Sequence, residues 1–424
     1  MAFLLLRLSG VPRFGFLSRV IRPSVLAPFA EKFDQMVFGA ATAKFDLPAS
    51  LPDSVQKLLS LPIRLGGFGL RPMRSVSPFA FYSAVAAAVP AIARIVPLDH
   101  CEALVPGPHQ APLAREISSC YDTMSLWLKD SRCANVLPTA AEFWQRFVDD
   151  DGAPSGLQKT LCGAHEDALV RRLLSGPLNR KVDRLRQTSC KSRNAGAWLT
   201  ALPSLPELVL SDMEFRYAVR HRLGLAPHSN LPARCVCGAS LDAAPWHFHC
   251  CPKLRPRAIT HRHNQLVQLL ASLFRHAGAL VQVEVKSSGD ERIRPDLEIV
   301  LHDQRLVVDV SVVHPASDGK RSFTALAAAR IIERRKGDKY KDFAAPRDAR
   351  VLAFVLESYG AFGNEAEEVM KILRACLSQM SMRVPAITAK TMTEMLAICL
   401  QKGNAAVSAS GSLAVRGTVA PHRD

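Results

Sequence analysis

The chain has 424 residues, 48% of them hydrophobic, enough for two or three domains with packed cores and too apolar for wholesale disorder. Its 54 Lys and Arg against 38 Asp and Glu leave a formal charge of +16, a balance that favours a polyanion partner, nucleic acid before an anionic membrane surface. No apolar run reaches the ~18 residues of a membrane span, so no membrane partner is expected, and 11 scattered cysteines fit a reducing intracellular setting better than a disulfide framework.

The opening MAFLLLRLSGVPRFGFL has only five apolar residues before Arg7 and no cleavage signal, so it reads as a helix fragment rather than a signal peptide. PFAEKFDQMVFGA (28–40) has helical spacing. LPIRLGGFGLRP (61–72) is a Gly-rich turn. SPFAFYSAVAAAVPAIARIV (77–96) predicts a buried helix with a kink or break at Pro90. Residues 97–140 read as loop then helix, and 140–225 as further helices ending in LVLSDMEFRYAVRHRLGL. Phe147-Val148-Asp149-Asp150 mimics a paired-aspartate motif, but AEFWQRF before it and Asp-Gly-Ala-Pro after it make it a helix end.

Residues 235–251, CVCGASLDAAPWHFHCC, place six potential soft or imidazole ligands close together. Zinc takes four such ligands tetrahedrally, and two pairs around a short loop supply them. The preferred set is Cys235, Cys237, His247 and Cys251, with Cys250 or His249 as substitutes. Four protein ligands leave no open position, so a structural role is expected.

HNQLVQLLASLFRHAG (263–278) carries Leu266, Leu269, Leu270, Leu273 and Phe274 on one helical face, with Gly278 as the C-terminal cap. LVQVEVK (280–286) alternates as a strand, and RIRPDLEIVLHDQRLVVDVSVVHP (292–315) as a hairpin. A turn at Asp303-Gln304 would pair His302 with Arg305, set Glu298 opposite Asp309 and leave Asp296 diagonal to Asp309, ~7–8 Å away. Carboxylates gathered on one face repel unless a cation neutralises them, and Mg²⁺ suits such a set. The plainer alternative is a solvated hairpin face with Asp309 paired to a lysine. RIIERRKGDKYKDFA (330–344) is a basic helix with Lys336, Lys339 and Tyr340 on one face, and VLAFVLESYG (351–360) is another buried strand. The Gly/Ser/Ala-rich last ~20 residues read as a disordered tail.

Arg294-Pro295-Asp296, then Asp309, then Lys336-x-x-Lys339-Tyr340 resemble the restriction-like endonuclease of site-specific non-LTR retrotransposons, within the PD-(D/E)XK superfamily. A zinc knuckle precedes that nuclease, as Cys235–Cys251 does here. Arg262-His263-Asn264 resembles the triplet opening its first helix, and Glu357-Ser358-Tyr359-Gly360 its late strand. RLSGVPRFGFLSRVI (7–21) and LPIRLGGFGLRP resemble the segment after the polymerase palm, and SDMEFRYAVRHRLGL (211–225) the linker before the knuckle. The resemblance thus covers roughly 5–360.

The resemblance implies an α+β chain: a helical N-terminal half, a zinc knuckle, then an α/β nuclease domain with a mixed sheet flanked by helices. The organisation expected is a post-palm, thumb-like region over 1–96, a helical linker over 97–226, the knuckle over 227–258, the nuclease over 259–385, and a helix end with disordered tail over 386–424. The implied activity is Mg²⁺-dependent nicking of target DNA to prime reverse transcription, with element RNA as a second partner, no small-molecule cofactor beyond metals, and nuclear localisation. Asp296 and Asp309 would bind Mg²⁺. Lys336 or Lys339 would support the water or phosphate, because Ser311 stands where the superfamily often has lysine. Tyr340 would pack nearby, Arg262, His263 and Arg294 would contact phosphate, and Glu284 is a weaker candidate ligand. The polymerase palm is expected to lie outside this chain. The alternative is an inactive zinc-containing remnant that still binds nucleic acid.

Overall fold

The computed structural model describes residues 1–48, 50–95, 112–129, 137, 155–227, 231–242, 244–285, 293–301, 304–317, 323–379 and 388–418. The paired aspartates at 149–150, and residues 97–111, 130–136 and 138–154 of the expected linker, lie outside these. The chain divides into two compact units, Met1–Asn179 and Arg180–Asp424.

The described residues of the first unit are helical: α1 (Ala2–Leu5), α2 (Val11–Val20), α3 (Pro23–Phe45), α4 (Asp53–Ser60), α5 (Met73–Ala93), α6 (Pro112–Leu128) and α7 (Leu157–Ser175). Helix α5 packs against α2, α3, α6 and α7. Its Phe79 and Tyr82 meet Ile117, Met124 and Leu161 in one apolar cluster. The helix continues through Pro90, where the sequence predicts a kink or break. The Gly-rich turn folds back on itself. A Cβ on Gly67 would fall 2.1 Å from the Leu61 carbonyl oxygen, so glycine is required by close approach.

The second unit opens with α8 (Lys181–Lys191) and α9 (Asp212–Leu223). Ser211 and Glu214 form a capping box at the start of α9, and Gly224, at φ +76°, ends it. The Cys/His segment follows. Then come α10 (Thr260–His276), β1 (Leu280–Val283), β2 (Leu297–Val300), β3 (Arg305–Val313), α11 (Ala327–Ala344), β4 (Ala349–Glu357), α12 (Asn364–Gln379) and α13 (Ala389–Thr418). The strands form one open mixed sheet in the order β1-β2-β3-β4. The first three pair antiparallel, and β4 joins β3 in parallel through α11. Helices α10, α11 and α12 pack on the strands. A helix-rich N-terminal region, a small Cys/His cluster and a C-terminal mixed sheet flanked by helices therefore match the expected coarse architecture.

Two expectations are corrected. The hairpin register differs by two residues: Val300 pairs with Arg305 and Glu298 with Val307, so Arg305 does not pair with His302, and Glu298 is not opposite Asp309. The same register carried on brings Asp296 opposite Asp309. The C-terminal stretch is not a disordered tail to Thr418. It is the 30-residue α13, with Asn404, Val407 and Ser408 buried. Its small residues fit close packing: a Cβ on Gly403 would lie 2.4 Å from Arg262 Cγ, and one on Gly411 2.5 Å from Phe248 Cδ1.

Candidate functional site

The Cys/His segment is short and poor in regular structure, so its shape depends on side chains. Cys235, Cys237, His247 and Cys251 bring one ligand atom each to within 4.8 Å of one another. Cys235 Sγ lies 3.5 Å from Cys251 Sγ, and Cys237 Sγ 3.0 Å from His247 Nε2. Three thiols and one imidazole at these separations are a donor set suited to tetrahedral zinc. The two substitutes stand elsewhere: Cys250 is exposed with its Sγ on the His247 carbonyl, and His249 is buried and turned to Tyr217. Phe248, Leu241 and Leu254 pack around the cluster with Val407 of α13.

The acidic constellation sits where β2 and β3 meet. Asp309 is buried in the middle of β3 on the face covered by α11, because Val307 and Val313 of the same face pack on Tyr340, Phe343, Ala328 and Ala329. Asp296 precedes β2. Its Oδ2 accepts the Val310 N–H at 2.6 Å, and its Oδ1 lies 3.1 Å from His263 Nε2. Lys336 reaches in from α11, with Nζ 2.6 Å from Asp309 Oδ2.

Burial, and then the Asp296 charge, push the Asp309 carboxyl upward, and Lys336 and Tyr340 only partly offset this. For His263, burial lowers the pKa, but the Asp296 hydrogen bond and charge, with Asp309 behind, outweigh it and raise it. Each basic side chain thus favours the carboxylate it touches, His263 on Asp296 and Lys336 on Asp309, while the two carboxylates repel each other.

The remaining predicted residues divide. Lys339 donates to Tyr340 Oη at 3.0 Å, and Tyr340 donates to the Arg294 carbonyl at 3.1 Å and stands against Asp309, so Lys339 borders the site through Tyr340. Arg294 is exposed. His263 stands on Asp296, with 31% of its side chain exposed. Arg262 is a correction: it is 2% exposed, and its Nη1 bonds Asn404 Oδ1 at 2.9 Å and His249 Nδ1 at 3.1 Å. A side chain so enclosed joins α10, α13 and the Cys/His segment and offers nothing to a phosphate. Glu298 shares the aspartates' face but pairs with Arg305 at 3.6 Å. Glu284 is exposed, at φ +52°, and its N–H caps the Asp296 carbonyl. The sequence reading missed the ring cluster of Tyr217, His221, Trp246, His314 and Tyr359, whose members are scattered over 143 positions and meet only through the fold.

No family model matches the chain. Over 152 residues it is 27% identical to the retrotransposable element SLACS 132 kDa protein of Trypanosoma brucei gambiense. That match takes in 33% of this chain and 13% of the trypanosome protein, so the chain spans only a small part of that relative's length.

Proposed function

We propose that this chain is the C-terminal portion of a nuclear retroelement protein and that its second unit is a Mg²⁺-dependent DNA endonuclease of the PD-(D/E)XK kind. In this reading it nicks target DNA, and the freed 3′ end primes reverse transcription by a polymerase palm outside the chain, on element RNA. The Cys/His cluster is a structural zinc knuckle before the nuclease. The observation that carries the reading is Asp296 beside Asp309, near enough for its charge to act on that buried carboxyl, with Lys336 of the crossover helix on Asp309. The partial likeness to a retrotransposable element protein and the charge of +16 support it.

The pair fits a hard divalent cation. Its donors are carboxylate oxygens, and of the two causes that raise Asp309, burial first and the Asp296 charge second, the repulsion is one such an ion relieves. Asp296 and Asp309 would hold Mg²⁺, which supplies positive charge and an acidified water at a phosphodiester. The protein's own contribution is positioning. The Val310 N–H and His263 fix both oxygens of Asp296. Lys336 keeps a cation beside Asp309, where charge on an attacked phosphate would grow. Tyr340 ties α11, through the Arg294 carbonyl, to the segment that leads into β2.

The test is nicking of supercoiled plasmid with Mg²⁺, with EDTA as the blank. Wild type is expected to nick. Asp296→Ala and Asp309→Ala are expected to bind DNA as well or slightly better without nicking, since each removes a negative charge near a phosphate. Glu298→Ala, which loses only its pair with Arg305, should keep most activity. A wild type that binds DNA and never nicks overturns the nuclease and leaves the inactive binding remnant.

A further inference from the structure

Helices α8 and α9 and the Cys/His segment line a cavity of about 430 Å³ that none of the preceding chemistry uses. Its size falls in the ~300–1,000 Å³ range of small-ligand sites. Rings form much of its wall. His221 stacks on Tyr359 at 4.4 Å and 17°, and on Tyr217 at 5.7 Å and 12°. Trp246 closes another side and stacks on His314 at 4.4 Å.

Three residues that line it each carry a buried nitrogen with no hydrogen-bond partner: Arg186 Nε, His221 Nε2 and Trp246 Nε1. Burial without a partner is costly for a polar group, so three such groups beside one cavity call for a partner that the chain itself does not supply. The first and third are donors. Burial holds His221 far below its ordinary pKa, at about 3, and the ring is hydrogen-bonded to the Ser358 backbone, so neutral Nε2 is left to accept. Gly224 makes the space: at φ +76° it suits glycine, and a Cβ there would fall 1.6 Å from Arg186 Nη1.

Charge selects the ligand. Arg180 and Arg186 both pair with Asp183, at 2.8 and 2.6 Å, and Asp242 also lines the cavity. Two acids balance two guanidinium groups, so the interior does not favour a free anion. It favours a flat, neutral group with a π face and both acceptors and donors on its edge. The mouth is different, because Arg180 is 73% exposed and reaches solvent.

We propose that this cavity receives one unpaired nucleobase of a nucleic-acid strand, with Arg180 at the mouth meeting the adjoining phosphate. The base would be held as in proteins that extrude a nucleotide, by rings and by a few edge hydrogen bonds. The inference goes beyond the nuclease reading and survives its failure, because a chain that never nicks can still seat a base.

The test uses the full chain and a 20-bp duplex with one bulged thymidine, against the same duplex with an abasic bulge, read by fluorescence anisotropy. A parallel arm uses an RNA duplex with bulged uridine. Wild type is expected to prefer the base-bearing bulge about tenfold in at least one arm, and that arm identifies the strand. Ala226→Trp fills the cavity from its lining while leaving the buried polar groups in place. It should bring the ratio to about one with the abasic affinity unchanged. Trp246→Phe keeps a ring, loses the N–H, and should lower the ratio partway. If Ala226→Trp fails to fold, 5-iodouracil at the bulge decides with wild type: its crosslink should fall on peptides carrying Tyr217, His221 or Trp246. Equal affinity for both bulges in both arms, or crosslinks confined to other peptides, overturns the proposal.

Discussion

At the scale of single residues, neighbours decide what a charge is for. Lys336 and Lys339 lie three apart on α11 and look equivalent in the sequence, but only Lys336 touches Asp309, while Lys339 rests on Tyr340. Under the nuclease reading, Lys336→Ala should therefore slow nicking ~10²–10³-fold, the usual effect of removing a charge-stabilising group. Lys339→Ala should cost far less, and equal losses in plasmid-nicking rates would contradict this division. Arg262 carries the opposite lesson. Its charge suggests DNA, but it is buried against Asn404 and His249. Arg262→Ala should act on folding, by about 3 kcal/mol or more, because it leaves a cavity and two unpaired buried groups. Urea denaturation measures this, and unchanged stability with weakened DNA binding would restore the phosphate role. The sequence could name Arg262 as notable but could not reveal that α13 would cover it. Cys235, Cys237, His247 and Cys251 were legible because their spacing within 17 residues alone restricts which atoms can meet.

At the scale of elements, periodicity was a good guide wherever one face was apolar. Helix α10 shows it, with Leu266, Leu270 and Phe274 buried along one side. The hairpin was legible as two strands but not in register, because the alternation of Val and Leu is satisfied equally by a slip of two residues. Helix α13 was illegible because glycine and serine score as tail residues, whereas here their smallness admits Arg262 and Phe248. Helix α7 offers a test of burial itself. His165 packs between Phe79 and Trp127, and burial, then the charge of Arg172, lower its pKa to about 4. A histidine whose folded pKa lies below its unfolded value of 6.5 binds fewer protons when folded. Its stabilising contribution is complete above pH 6.5 and is lost as the pH falls toward 4, up to about 3 kcal/mol. His165→Phe keeps an aromatic ring and removes the proton site. The variant should lose this part of the stability slope between pH 7 and pH 4.5 in denaturant titrations, and an unaltered slope would show that His165 does not titrate there.

At the scale of the whole molecule, the two units differ in what holds them. The first has a helical core of its own, with Phe79, Ile117 and Met124 in one cluster. In the second, much of the cohesion passes through the Cys/His segment. Cys235, Phe248 and Cys251 pack with Val407 of α13, and His249 joins Tyr217 of α9 to Arg262 of α10. Zinc bound at Cys235, Cys237, His247 and Cys251 would therefore stabilise three helices besides its own loop. Structural zinc contributes ~10–16 kcal/mol of apparent binding free energy in small modules, and binding to the folded form is folding free energy. Stripping the metal with a strong chelator, or Cys235→Ser with Cys237→Ser, should then open 231–254 and raise amide exchange along α9, α10 and α13. Exchange along α5 and α7 should stay as it was. Hydrogen-exchange mass spectrometry reads both units in one sample. Exchange unchanged by the chelator throughout 231–254, with elemental analysis finding no zinc before treatment, would mean that the apolar contacts around Phe248 hold the segment without a metal.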